Sequence, residues 1–193
     1  MKLKTFSMGG VHPEENKITA EVATVVAPLP QQAIFPLSQH IGAPAKPVVN
    51  RGDKVKVGTL IAEANGFVSA PIYSSVSGTV LKVDTAIDAT GYRKPAIYIN
   101  VEGDEWEESI DRSETLETLD KHPELTPEEI VNRIKVAGVT GMGGAGFPTF
   151  IKLCPPPTAK AECVILNGVE CEPYITSDYR LMMEHADEIL VGL

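Results

Sequence analysis

The sequence predicts a mixed chain, α+β in overall class: a β-rich region first and the start of an α/β domain after it. Three observations carry this. Residues 31–102 are rich in Val, Ile, Pro and Gly with a turn signal every few residues, the texture of short strands. From Thr126 onward the pattern changes to helix, glycine loop, strand and helix. Between them lies an acidic stretch with one Trp, GDEWEESIDRSETLETLDKHPEL at 103–125, which reads as a solvated connector.

In chain order, residues 1–30 are polar and punctuated by Pro and Gly, an irregular arm that must pack on something to be ordered. In 31–102, Asn50-Arg-Gly-Asp53 makes a turn, Lys54–Val57 alternates, Gly58 turns again and Leu60–Ala62 continues as a strand. Ser69–Ile72 and Val76–Val83 follow. The order GDxVxxGxxIAE, a hairpin, then APxxxxVSGTVLKV resembles the barrel-sandwich hybrid of biotinyl and lipoyl carrier domains. Those carriers need a Lys at the hairpin tip, because its amine forms the amide to the cofactor. Here the tip is Glu63-Ala-Asn-Gly-Phe67. The carrier chemistry is therefore absent, and the region reads as a structural or docking module.

Bulk properties narrow the functions. The chain's 193 residues allow one sizeable core or two small domains. Lys and Arg number 17 against 26 Asp and Glu, a formal charge of −9, which argues against nucleic acid or an anionic lipid surface as the main partner. No apolar run approaches the ~20 residues of a spanning helix. The start, MKLKTFSMGGVHPEENK, lacks the apolar centre of a secretory signal, so the cytoplasm is the expected compartment. Cys154, Cys163 and Cys171 have spacings that fit neither a disulfide framework nor a CxxC-type metal site, and three reduced, mostly buried thiols are expected. The last segment, SDYRLMMEHADEILVGL, keeps helical spacing to its end, and a chain continuing past Leu193 is expected.

Residues 126–193 hold the chemistry. Thr126 suits a helix N-cap, Pro127 the first helical position, and Glu128 and Glu129 the positive end of the dipole. The GMGGAG that follows, Gly141 to Gly146, matches GxGxxG by letter. A Rossmann loop, however, is entered from a strand, and here a helix precedes the glycines. A Walker A loop fails too, since Phe147-Pro148 stands where Lys-Ser/Thr should be. A different anion cradle survives: Gly141, Gly143, Gly144 and Gly146 let a ligand approach the main chain, and Lys152 lies about a turn into the next helix. The alternative is a flexible loop covering a helix pair, against which the entropy of four glycines in six residues argues. Glu162–Leu166 reads as a short strand running into Asn167-Gly-Val-Glu-Cys-Glu-Pro-Tyr174, where Asn167 can donate and accept and Glu170 and Glu172 are acidic. An anion-seeking loop and an acidic turn suggest a ligand with distinct ends.

Gly141-Met-Gly-Gly-Ala-Gly-Phe-Pro-Thr149 with Lys152 resembles the GRGGAGFPTGxK stretch of the flavin-bearing, NADH-oxidising subunit of respiratory complex I. Asn167–Pro173 resembles that subunit's N-x-D-E-x-E-P stretch. The variant found here, GMGGAGFPTxIKL followed by ILNGxECEPYxTxDxRLM, is more similar to RnfC, a subunit family of the Rnf electron-transport complexes. FSMGGVHPEENK and the lysine-free barrel-sandwich region resemble that family as well, so the likeness covers nearly the whole chain.

The resemblance implies a site for FMN and NAD(H) in a peripheral subunit on the cytoplasmic face of the cell membrane. The complex would exchange electrons between NAD(H) and ferredoxin, coupled to Na⁺ or H⁺ translocation, with the other Rnf subunits as partners. It implies that Gly141, Gly143, Gly144, Ala145 and Gly146 hold the phosphate side of FMN and that Lys152 neutralises it. Asn167 would contact the flavin, and Glu170, as the catalytic residue, would line the place where nicotinamide stacks. Residues 126–193 would then be the start of an FMN-binding α/β domain. Val169 stands where the complex I relative has Asp, so that acidic contact is missing. The family's CxxCxxCxxxCP motifs, which hold 4Fe–4S clusters, are not in this chain, so the clusters are expected only in the full-length protein and the chain alone is expected to be inactive. The alternative is a non-catalytic docking module of such a complex, with the glycine loop a relic.

Overall fold

The computed structural model describes residues 13–88, 90–156, 158–159 and 161–193. The start of the expected arm, including most of FSMGGVHPEENK, lies outside them. The chain divides into two compact units: residues 26–163, and residues 13–25 together with 164–193.

The larger unit is built on one long antiparallel hairpin, β6 (Ser77–Ile87) with β7 (Arg93–Gly103). β1 (Gln32–Pro36) pairs with the far edge of β7, and β3 (Lys54–Val55) with β6, giving the order β1-β7-β6-β3. A second antiparallel sheet has the order β2-β4-β5, from Lys46–Pro47, Leu60–Glu63 and Ile72–Tyr73. The alternation in the sequence explains the packing. In β7, Ile97 and Ile99 are fully buried while Asn100 and Glu102 face solvent, the period of two that a half-buried strand requires. Ile61, Ala62 and Ile72 of the second sheet meet them, and Phe35, Leu37 and Val80 complete one shared core. This is the sandwich that the strand pattern predicts. The β4–β5 connection carries no Lys at its tip; instead the Ser69 hydroxyl accepts from the Asn65 N–H at 3.0 Å and donates to the Ala43 carbonyl at 2.9 Å, which pins the hairpin to the neighbouring loop.

The acidic stretch departs from the expected solvated connector at its N-terminal end. Val57 donates its N–H to Glu105 and accepts from the N–H of Glu107, at 2.8 and 3.0 Å, so Trp106 is bridged to the sandwich edge. Arg112 lies 4.6 Å above the Trp106 ring. The run is anchored by this backbone pairing and by Ile110, whose side chain lies close against Gly58.

Helix α1 (Pro127–Val136) begins as the sequence specifies, with the Thr126 hydroxyl accepting from the Glu129 N–H at 3.2 Å and Pro127 in the first turn. It ends in a Schellman-type closure. Val139 N–H donates to the Ile134 carbonyl and Gly138 N–H to that of Lys135, with Gly138 at φ +70°. A Cβ on Gly138 would stand 2.5 Å from the Pro71 carbonyl oxygen, so glycine is required there both by conformation and by contact. The Tyr73 hydroxyl donates to the Val136 carbonyl at 2.6 Å, tying the same helix end to β5. Burial of that phenol raises its pKa.

The C-terminal part is helical as expected, with α2 (Thr149–Lys152) in the larger unit and α3 (Ser177–Glu184) and α4 (Ala186–Gly192) in the smaller. The expected strand at 162–166 is not formed. No ladder among the described residues includes it, and Val164, Ile165 and Leu166 are exposed; a strand's apolar pattern becomes a strand only beside a pairing neighbour. The cysteines also differ from expectation. Cys154, Cys163 and Cys171 are all exposed, because each falls on a connecting segment and none on the sandwich core.

Replacing Gly138 by Ala is expected to cost about 1–3 kcal/mol of stability, from a left-handed non-glycine residue and the Pro71 contact together. Urea unfolding of the chain measures it. A loss under about 0.5 kcal/mol, the level of a neutral surface change, would show that the closure carries no strain.

Candidate functional site

The glycine loop is a closed structure in the larger unit. Its stem is a bridge between Thr140 and Pro148, framed by Gly141 N–H donating to Phe147 at 2.9 Å and Thr149 N–H donating to Val139 at 3.0 Å. Pro148 is buried and stands immediately before α2, where its fixed φ and missing N–H are tolerated as they would not be in a helix interior. Phe150 of α2 is buried, with the Lys135 ammonium of α1 5.3 Å from its ring centre. These contacts fix the two stem strands; the tip, residues 142–145, is exposed.

Gly146 seats the loop on the sandwich. It has φ +63°, and a Cβ on it would lie 2.8 Å from the Gln39 carbonyl oxygen and 3.0 Å from His40 Cα. Its carbonyl accepts from the Ile41 N–H at 3.3 Å. Buried His40 accepts the Ala70 N–H at Nε2, 3.1 Å away, which leaves Nδ1–H to donate to the Ile41 carbonyl at 3.1 Å. The seat is thereby tied to the β4–β5 hairpin. A cleft of about 340 Å³ opens beside it, with His40, Pro71, Tyr73, Gly138, Thr140 and Met142 in its wall.

The glycines separate into two kinds by what surrounds them. Gly138 and Gly146 face backbone that leaves no room for a side chain, and at Gly141 a Cβ would come 3.2 Å from the Lys152 Nζ. Around Gly143 and Gly144 nothing lies within 4 Å of an added Cβ. No contact with a described residue requires glycine at these two. The amide N–H groups of Met142, Gly144, Ala145 and Gly146 have no acceptor among the described residues. Lys152, the last residue of α2, brings its ammonium beside Gly141. Unspent amides, open space over two glycines and a cation at the rim suit a phosphate. FMN would present such a group, and the loop fits its phosphate end.

The other predicted residues lie in the smaller unit. Asn167 Oδ1 accepts from the Val169 N–H at 3.1 Å, which forms a local turn. The Glu170 carboxylate caps α3, accepting from the Tyr179 N–H at 3.0 Å and the Ser177 hydroxyl at 3.4 Å. Gly168 packs closely on Met182: an added Cβ would be 2.9 Å from its sulfur. Glu172 is exposed. The sequence identifies the acidic turn but not that one of its carboxylates ends a helix.

The sequence also does not show what the arm packs on. Residues 15–24 lie along the acidic turn and α3: Glu15 accepts the Tyr174 N–H at 2.7 Å, Thr19 and Thr176 share a hydroxyl hydrogen bond at 2.7 Å, and the Thr24 N–H donates to Glu184 at 2.9 Å. The Thr24 N–H and then the Arg180 guanidinium hold the Glu184 carboxyl down to about 2. Their only sequence signal is a polar arm too irregular to stand alone.

Residues 4–104 match the family model described as the RnfC barrel sandwich hybrid domain, and residues 134–193 match the Nuo51 FMN-binding domain. Among curated proteins the chain is 46% identical over 193 residues to the C subunit of the proton-translocating ferredoxin:NAD(+) oxidoreductase complex of Clostridium ljungdahlii. It is 43% identical over 195 residues to the Na(+)-translocating counterpart of Acetobacterium woodii, and 43% over 197 to the C subunit of the ion-translocating oxidoreductase complex of Rhodobacter capsulatus. These alignments cover 99%, 100% and 99% of this chain and 41%, 42% and 36% of the relatives, so the chain spans about two fifths of their length.

A carboxyl depressed in the folded state contributes stability that is complete above its unfolded pKa, 4.5 for Glu, and is lost as pH falls through about 2. An NMR titration of the Glu184 carboxyl carbon should accordingly show a midpoint near 2, with Thr24 amide exchange accelerating over the same interval. A midpoint at 4.5 would mean that the arm is not tied to α3.

Proposed function

Because this chain belongs to the RnfC family of ion-translocating electron-transport complexes, we propose that it provides the sandwich module and the phosphate side of an FMN site. The observation that carries this is Gly144, around whose missing side chain no described residue lies within 4 Å, in a loop whose Gly141 end meets the Lys152 ammonium. When bound, FMN supplies the exchange between a two-electron hydride and single electrons. The chain's own tasks are narrower. Met142, Gly144, Ala145 and Gly146 offer amide hydrogens to the phosphate, and Lys152 balances its charge. Asn167 and Glu170 belong to the side that meets the flavin ring and NAD(H). Glu170 reaches that role by closing α3 and exposing a turn, rather than as an unengaged carboxylate.

In this reading the subunit is peripheral, on the cytoplasmic face of the cell membrane, with the other Rnf subunits as partners; no helix among the described residues is long and apolar enough to cross a membrane. NAD(H) and ferredoxin exchange electrons through the complex, coupled to Na⁺ or H⁺ movement. In this reading the 4Fe–4S clusters would be held by cysteines of the full-length protein and not by these 193 residues, which contain no CxxCxxCxxxCP motif. One observation favours a second reading, a non-catalytic docking module: the Gly141 N–H and the Glu170 carboxylate are both already engaged within the chain.

Two substitutions in the full-length protein separate the readings. The Cβ of Gly144→Val meets no described residue within 4 Å, so folding should be retained while a ligand lying over the loop is displaced. Lys152→Ala removes a charge-assisted contact. Each should weaken FMN retention by about tenfold or more, with NADH oxidation falling in step. Unchanged FMN content and NADH oxidation in both variants would establish the docking module instead.

A further inference from the structure

Among the described residues, only two other than glycine have a positive φ, Asn16 at 45° and Tyr174 at 72°. Tyr is a bulky residue for which this conformation is an outlier that surrounding structure must hold in place. The two touch. The Asn16 amide donates to the Tyr174 hydroxyl at 3.3 Å, and the Tyr174 N–H donates to the carbonyl of Glu15, next to Asn16. The next residue completes the clamp: the Lys17 ammonium donates to the carbonyls of Glu172 and Ile175 at 3.1 and 2.8 Å. Those carbonyls lie on either side of Tyr174 in the chain. One cation collects both.

The turn so held joins the Asn167–Glu170 segment to α3, and α3 is the helix whose first turn the Glu170 carboxylate caps. The geometry points to Lys17 as a positioning residue: by gathering the Glu172 and Ile175 carbonyls it fixes the turn that presents the acidic segment to the nicotinamide-bearing substrate. This rests on the proposed function of that segment. Lys17 touches neither cofactor nor substrate in this role. Its effect passes through Tyr174, whose strained backbone relaxes when the clamp is lost, and so through the register of the turn relative to Glu170. The N-terminal arm is thereby a part of the site, although 155 residues separate Lys17 from Glu172.

The test uses the full-length protein prepared with FMN, as wild type, Lys17→Met and Lys17→Arg. Met keeps the length of the stem and removes the donor; Arg retains a cation that can donate to two carbonyls. In Lys17→Met, backbone hydrogen exchange at Tyr174 and Tyr179, measured without substrate, should speed up about tenfold, while exchange at Ile97 and Ile99 in the sandwich stays at the wild-type rate. FMN content should be unchanged, the KM for NADH should rise about tenfold with kcat within about twofold, and Lys17→Arg should restore most of the difference. Faster exchange with an unaltered KM would overturn the proposal, leaving Lys17 a fastener alone, and so would exchange that does not change. A loss of kcat and KM together with faster exchange in the sandwich would overturn it as well, as general destabilisation. Wild-type protein that fails to oxidise NADH would overturn the functional reading of the segment itself and this inference with it; a working wild type with an indifferent Lys17→Met overturns the inference alone.

Discussion

Two backbone contacts too close for any side chain determine where the glycine loop can be. Gly138 meets the Pro71 carbonyl and Gly146 meets Gln39 and His40, each with a positive φ. Between these points the chain leaves α1, forms the Thr140–Pro148 bridge and enters α2. A Cβ at either position would push the loop off the sandwich by more than a rotamer change can absorb, because the opposing atoms are main chain. The sandwich, whose β4–β5 hairpin carries no Lys at its tip, serves as a rigid seat. His40 extends that seat by linking Ala70 to Ile41. The tip is left exposed, with the Met142, Gly144 and Ala145 amides without an acceptor among the described residues, and a loop fixed at both stems loses less entropy on meeting a ligand than a loose one.

The smaller unit solves a different problem. Its acidic turn and short helices bury little, and their side chains are mostly exposed. What orders them is polar: Glu170 on the start of α3, Thr19 on buried Thr176, Lys17 on two carbonyls and Glu184 on the Thr24 N–H. Such contacts between exposed groups are individually weak and depend on one another, so the segment is held by their number and not by any one of them.

Much of this was legible in the residues. Thr126-Pro127 and the two glutamates mark the start of α1, and the runs Leu60–Ala62 and Val76–Val83 mark β4 and β6, because each is a local rule with a local cause. The glycines of 138–146 announce a special backbone, yet only the neighbours reveal that Gly138 and Gly146 serve packing while Gly143 and Gly144 do not. Non-local facts were not readable. Trp106 joins the sandwich edge because Val57 offers it a free strand edge, and 162–166 has a strand's composition without a ladder partner. The cysteines look like core residues by type but lie on connecting segments. The partner of the arm, with Lys17 on Glu172, is beyond any pattern of spacing, since the two are 155 positions apart.

The phosphate-side assignment of the loop is tested most directly by comparing two flavins that differ only in that group. Backbone amide shifts of Met142–Gly146 in the full-length protein, followed during titration with FMN and separately with riboflavin, report on the loop itself. FMN should move the Met142, Gly144, Ala145 and Gly146 amides strongly and riboflavin leave them nearly still, with affinity lower by about tenfold or more for want of the charged contact. Equal responses to the two flavins, or none to FMN, would contradict the assignment.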